Sequence, residues 1–122
     1  MNWTALLIFA VVVVVVIMVK RAGQVSTSDA LVYLKNGALV IDVRTPGEFN
    51  AGHLASAINL SLDQIETGLP QRVPDKNQIL LLHCQSGMRS GMAKSKLKVM
   101  GYEHVFNLGS YGRAESILTQ AR

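Results

Sequence analysis

The sequence predicts an α/β fold with a mostly parallel central sheet flanked by helices, preceded by one transmembrane helix. Three observations lead there. Apolar runs at residues 39–43, 57–60, 79–82 and 104–108 alternate with helix-start signals, and strands buried on both faces read as such runs. Residues 3–19 carry no charge. The chain's single cysteine, Cys84, stands where the most apolar run ends, at a strand C-terminus, which is where sheets of this kind place their sites.

The first 21 residues are expected to form a membrane anchor with its basic flank, and residues 22–122 one domain. The seventeen residues Trp3 to Val19, six of them consecutive valines, make a helix of about 26 Å, at the short end of what crosses a bilayer core. Valine favours helix poorly in water, but in lipid the backbone must satisfy its own hydrogen bonds. Lys20 and Arg21 stay on the cytoplasmic side, which makes the protein single-pass with its domain facing the cytoplasm, and Trp3 suits the opposite interface. A cleaved signal peptide would carry positive charge before the apolar run; only Met1 and Asn2 precede it, so retention is expected.

Of the net charge of +4, two come from Lys20 and Arg21, leaving ten basic against eight acidic side chains, which is no nucleic-acid footprint. Lys94, Lys96 and Lys98 read as a solvated helix face. One cysteine permits no internal disulfide, in keeping with a reducing compartment.

Residues 22–25 are a linker, with Val25 in a short edge strand. Ser26 caps a helix with Asp29 at its third position and Leu31 and Leu34 inward, until Asn36-Gly37 stops it. Leu39 to Val43 is the first buried strand. Thr45-Pro46-Gly47-Glu48 has capping-box chemistry and opens a short helix ending near Gly52. Ala57 to Leu60 is a strand, after which Ser61 with Gln64 caps a helix through Ile65 that breaks near Gly68 and Pro70. Beyond the strand at 79–82, Met92, Ala93, Leu97 and Met100 have helical spacing from Ser90 to a cap at Gly101. His104 to Leu108 is a last strand, Gly109 to Gly112 a turn, and Ala114 to Gln120 the closing helix.

Cys84 is the expected nucleophile. Gln85, Ser86, Gly87, Met88, Arg89 and Ser90 form a small loop running into a helix, and amides at a helix start stabilise an anion, here the thiolate itself. Arg89 adds a full charge. A lone cysteine beside leucines is often only a small core residue, but a merely structural strand end needs no glycine, two hydroxyls and an arginine around its thiol. Asp42 and Arg44 lie near the end of another strand. His83 reads as structural. His53, His83 and His104 stand apart without cysteine pairs, so no metal is expected. No nucleotide-type glycine loop is present, and no cofactor is expected.

Two stretches carry a family resemblance: Ile41-Asp42-Val43-Arg44-Thr45-Pro46-Gly47-Glu48-Phe49, followed by Ala51-Gly52-His53-Leu54 and Ala57-Ile58-Asn59-Leu60, and the loop Cys84-Gln85-Ser86-Gly87-Met88-Arg89-Ser90. From Ser26 onward the chain resembles single-domain rhodaneses of the thiosulfate sulfurtransferase superfamily. The resemblance implies a rhodanese-like three-layer fold and an enzyme that moves a sulfane sulfur, through a Cys84 persulfide, from thiosulfate or a similar small anionic donor to cyanide or a thiol acceptor. It casts Gln85 to Ser90 as substrate-binding, and Asp42, Arg44, Glu48 and His53 as a supporting cap and hydrogen-bond network. The chain departs from the family at Gln85, where many members carry a basic residue, and at Ala55-Ser56, where a proline-glycine pair is usual. The alternatives are a membrane-tethered carrier handing sulfur to a protein acceptor, an interaction module, and a phosphatase or arsenate reductase of the related fold. The last is disfavoured by loop size, because Cys84 to Arg89 is six residues whereas those phosphatases resemble it with one more, leaving little room here for a tetrahedral phosphate.

Overall fold

The computed structural model describes residues 2–122, the side chains of residues 20–22 excepted. The elements in chain order are α1 (Trp3–Ala22), α2 (Thr27–Lys35), β1 (Leu39–Asp42), α3 (Pro46–Ala51), β2 (Ile58–Asn59), α4 (Ile65–Arg72), β3 (Leu80–His83), α5 (Met88–Val99), β4 (Val105–Gly109) and α6 (Tyr111–Gln120), with one 3₁₀ turn at Leu62–Gln64. The four strands form one sheet in the order β2-β1-β3-β4, and all neighbours are parallel.

Period-two alternation divides the strand side chains between two cores. Ile41, Leu80 and Leu82 face Ile65 and Leu69 of α4 and Ala93 and Leu97 of α5. Val40, Leu81 and Leu108 face Ala30 of α2 and Ala114 and Ile117 of α6. The result is the expected three-layer arrangement. Register matters most for function: Asp42 pairs with His83, and His83 with Gly109 across an irregularity in the β3–β4 ladder. The ends of three adjacent strands therefore lie in one row, and the loops leaving them meet.

Local chemistry follows the sequence in most places. Ser26 accepts the Asp29 amide, and Thr45 with Glu48 forms the reciprocal capping box, with Pro46 in the first turn of α3. Elsewhere the structure differs. The strand expected at 57–60 shrinks to Ile58–Asn59, although Leu60 and Leu62 still donate amides to the Asp42 and Val43 carbonyls alongside β1. Ser61 caps no amide; its hydroxyl donates to Asp63 at 2.6 Å, and the 3₁₀ turn leads into α4 without a side-chain cap.

Nor does α4 break at Gly68 or Pro70. Pro70 forfeits only the bond to the carbonyl of Glu66, on the exposed face, while Ile65 and Leu69 anchor the buried one. Gly68 is a close approach, since a Cβ there would lie 2.8 Å from Leu60. α5 starts at Met88 rather than Ser90, and Met92 is exposed rather than inward. α6 begins at Tyr111 because Ser110 accepts the Arg113 amide, which converts the expected turn into a helix start. Val25 donates to the Asn107 carbonyl at 2.9 Å beside β4 but forms no strand.

The described side chains of α1 are exposed. Among the described residues no helix is long and apolar enough to cross a membrane, so the transmembrane helix expected at residues 3–19 is not found as such. Its uncharged stretch, about 26 Å long, falls short of the ~30 Å hydrocarbon core.

Candidate active site

β3 delivers Cys84 to the sheet's C-terminal edge, where it is fully buried. Its Sγ receives the Gly87 N–H at 3.0 Å and lies 3.5 Å from the Ser90 hydroxyl. The turn that aims the Gly87 amide requires a left-handed backbone, φ +96°, which glycine adopts without steric cost. Burial pushes the Cys84 thiol up, but the Ser90 hydroxyl and the amides of Ser90, Gly87 and Ser86 pull it down further, leaving it more acidic than an ordinary cysteine. The loop therefore favours a buried sulfur anion using mainly neutral donors.

A second ring of contacts holds those donors. Asn107 Oδ1 accepts the Ser90 hydroxyl at 2.7 Å and the Gly109 amide at 2.8 Å, while its Nδ2 donates to the Gly87 carbonyl at 3.1 Å. Cys84 donates its own amide to the Gly109 carbonyl, Tyr111 donates to the Gln85 carbonyl, and Ser86 bridges to Ser110. Asn107 and Gly109 were not singled out from the sequence. The signal was an amide inside an otherwise apolar strand, because a buried Asn must find partners.

The other half of the site hangs from β1. Asp42, fully buried, accepts three guanidinium bonds from Arg44 at 2.8–3.1 Å and the Arg44 amide at 2.9 Å. Arg44 also donates to the Gly52 carbonyl at 2.8 Å and to Gln85 Oε1 at 3.4 Å, and its guanidinium lies 4.8 Å from the Tyr111 ring centroid. Hydrogen bonding to Asp42 holds the Arg44 pKa above its ordinary value despite burial. Asn59, part of the family-like stretch but given no role there, ties the segment down by donating to the carbonyls of Asp42 and Arg44, each at 3.0 Å.

Arg89, expected to steady an incoming anion, has both terminal nitrogens on Glu48, at 2.6 and 3.0 Å. That pair bridges α3 to the cysteine loop. The Arg89 hydrogen bond, with the Thr45 amide, lowers the Glu48 pKa to about 2. Glu48 in turn raises the Arg89 pKa, and the negative charge of Cys84 adds to the effect. His53 instead stacks on Phe49, centroids 3.8 Å apart, with Nδ1 2.9 Å from the Phe49 carbonyl oxygen, and makes no hydrogen bond to the loop. Gln85, Ser86 and Met88 are exposed at the rim. Among the described residues, no group of three His, Cys, Asp or Glu side chains is placed to hold a metal ion.

The rhodanese-like domain profile matches residues 26–112. Thiosulfate sulfurtransferase PspE of Escherichia coli is 42% identical over 69 residues, covering 57% of this chain and 66% of that relative, so the match spans slightly under two thirds of its length. Among solved structures, a rhodanese with anions from E. coli superposes with a TM-score of 0.61 at 38% identity, covering 63% of this chain and 91% of that one. The human single-domain sulfurtransferase TSTD1 does so with 0.66 at 26% identity, covering 77% and 96%.

Proposed function

We propose that this chain, which belongs to the rhodanese-like domain family, is a sulfurtransferase that carries a sulfane sulfur on Cys84. The observation that carries this reading is the Cys84 Sγ held at 3.0 Å by the Gly87 amide in a buried, amide-lined loop. Its thiolate attacks the outer sulfur of thiosulfate or a similar donor. The new S–S bond forms as the donor's own S–S bond breaks, and the electron pair leaves with sulfite. The resulting persulfide anion takes the place of the thiolate beside the same amides. Cyanide or a thiol then attacks the terminal sulfur, and the electron pair of the broken Cys84 S–S bond returns to Cys84 as thiolate. The Ser90 hydroxyl and the loop amides acidify the thiol before the donor arrives, which favours the attacking thiolate.

Full burial of Cys84 restricts the donor to a small one, and Arg89, held by Glu48, stands at the rim of the loop. Intact-mass measurement after thiosulfate should show one added sulfur, removed by cyanide with formation of thiocyanate. Cys84→Ser should show neither; thiocyanate formation by that variant at the native rate would sink the assignment.

We also propose a location for the chain. α1 seats in a lipid bilayer as a single-pass anchor, with the domain on the cytoplasmic side. Its support is an uncharged run from Trp3 to Val19 whose apolar side chains are exposed, followed in sequence by Lys20-Arg21. A span a few ångströms short is met by local bilayer thinning, at fractions of a kcal/mol per ångström. Protease added to intact cells should spare the domain, and carbonate washing should leave it with the membranes. Release into the wash, or digestion from outside, would overturn it.

A further inference from the structure

The residues joining α1 to the domain touch the cysteine loop from behind. The Val25 amide donates to the Asn107 carbonyl, and Arg113 clasps the carbonyls of Val25 and Leu108. One residue earlier, the Gln24 side chain lies over two glycines of the site. A Cβ on Gly109 would stand 2.7 Å from Gln24 Nε2, and one on Gly87 would stand 3.3 Å from the same atom and 3.2 Å from Gly109 Cα. Both glycines have φ +96°.

Glycine at positive φ is the least self-constrained residue in a chain, so its conformation is set by what packs on it. Gly109 and the Gln24 amide both border the side of Gly87 on which a Cβ would stand, and Gly87 is the residue whose N–H meets Cys84 Sγ. We infer that Gln24 is a positioning residue for the Cys84 loop, so that the segment connecting α1 to the domain sets how well the loop's amides are aimed at the sulfur. Shortening Gln24 leaves Gly87 and Gly109 free to sample other backbone states, and the thiolate loses part of its hydrogen bonding. The same contact gives a route by which the seating of α1 alters Cys84 reactivity, since Gln24 lies two residues beyond the end of that helix.

The inference rests on Cys84 being the reacting thiol, but its test does not require sulfur transfer. Full-length protein in detergent micelles is alkylated with iodoacetamide across a range of pH, and Cys84, the only cysteine, reports directly. For Gln24→Ala the midpoint of the rate profile should rise by about half a pH unit, and the rate at neutral pH should fall about threefold. Gln24→Met, which restores bulk over the glycines, should recover most of that loss. A Gln24→Ala profile superimposable on the native one overturns the inference. So does a loss of rate at every pH with an unchanged midpoint and a lower melting temperature, because that reports only a less stable fold.

Discussion

The two loops that meet at the active site leave neighbouring parallel strands from paired residues, Asp42 and His83, yet they are held in opposite ways. The loop after β1 is fixed by charge: Asp42 grips Arg44, which reaches Gly52 and Gln85, and Glu48 grips Arg89. The loop after β3 meets those charges only at its ends, Gln85 and Arg89; around the sulfur it is fixed by backbone amides and by Asn107, a neutral side chain, and the hydrogen bonds at Sγ come from Gly87 and Ser90. Permanent charge suits a scaffold that never changes. A sulfur that alternates between thiolate and persulfide is better served by neutral dipoles, which stabilise the anion without fixing a counter-ion against it.

If that division is right, breaking the charged scaffold should cost stability most. Asp42→Asn leaves the Arg44 guanidinium buried against a neutral partner, and removing one member of such a pair costs about 3–5 kcal/mol. Equilibrium denaturation should show this as a large fall in midpoint. A paired change, Asp42→Asn with Arg44→Met, should recover part of it, since no unpaired charge remains. A single variant as stable as the native protein would show that the scaffold is not held by charge.

The outer pair gives a smaller, functional effect. Glu48 is half-exposed and restrains Arg89, so Glu48→Gln should free the guanidinium for the donor and lower the KM for thiosulfate about threefold with kcat little changed. The same pair predicts an acid limb of stability. The folded Glu48 pKa, about 2, lies below its ordinary 4.5, so its contribution is complete above 4.5 and is lost as pH falls toward 2. Glu48→Gln should remove that limb in pH-dependent denaturation; a rise in KM instead would mean that Glu48 chiefly positions Arg89.

What could be read in advance follows the same division. Strands, caps and the cysteine loop were legible because their signals are local: Thr45 and Glu48 are three residues apart, and the apolar run before Cys84 is contiguous. Asn107 and Gln24 were not, because each acts on residues far away in sequence that only the register of β3 and β4 brings near. Arg89 was legible as a loop residue but not as Glu48's partner, since no local pattern spans the 41 residues between them. The start of α6 was missed for a smaller reason. Ser110 is an ordinary N-cap, but Gly109 and Gly112 on either side of it read together as a turn.

The smallest effect tests the boundary between the two loops, at His83. It is fully buried; its Nδ1 lies 3.5 Å from the Cys84 carbonyl oxygen, its Nε2 has no hydrogen-bond partner among the described residues, and Asp42 Oδ2 is 3.8 Å from Nε2. Burial lowers the His83 pKa and Arg44 lowers it further, outweighing Asp42 and the Cys84 carbonyl, which raise it. The unfolded chain then takes up the proton before the folded one does. Stability from a neutral His83 is complete above the ordinary value of 6.5 and declines as pH falls below it toward the lower folded pKa. This limb begins at 6.5, above the 4.5 at which the Glu48 window opens, so its onset is read where Glu48 contributes no slope. His83→Leu, which keeps an apolar volume and removes the unpartnered nitrogen, should leave stability near neutral pH within about 1 kcal/mol of native and flatten the decline just below pH 6.5. Cys84 alkylation by His83→Leu should stay close to native, because His83 meets the cysteine's carbonyl and not its sulfur. A large drop in that rate would move His83 from the scaffold into the machinery around the thiol, and the division between charged support and neutral sulfur site would have to be redrawn one residue earlier in β3.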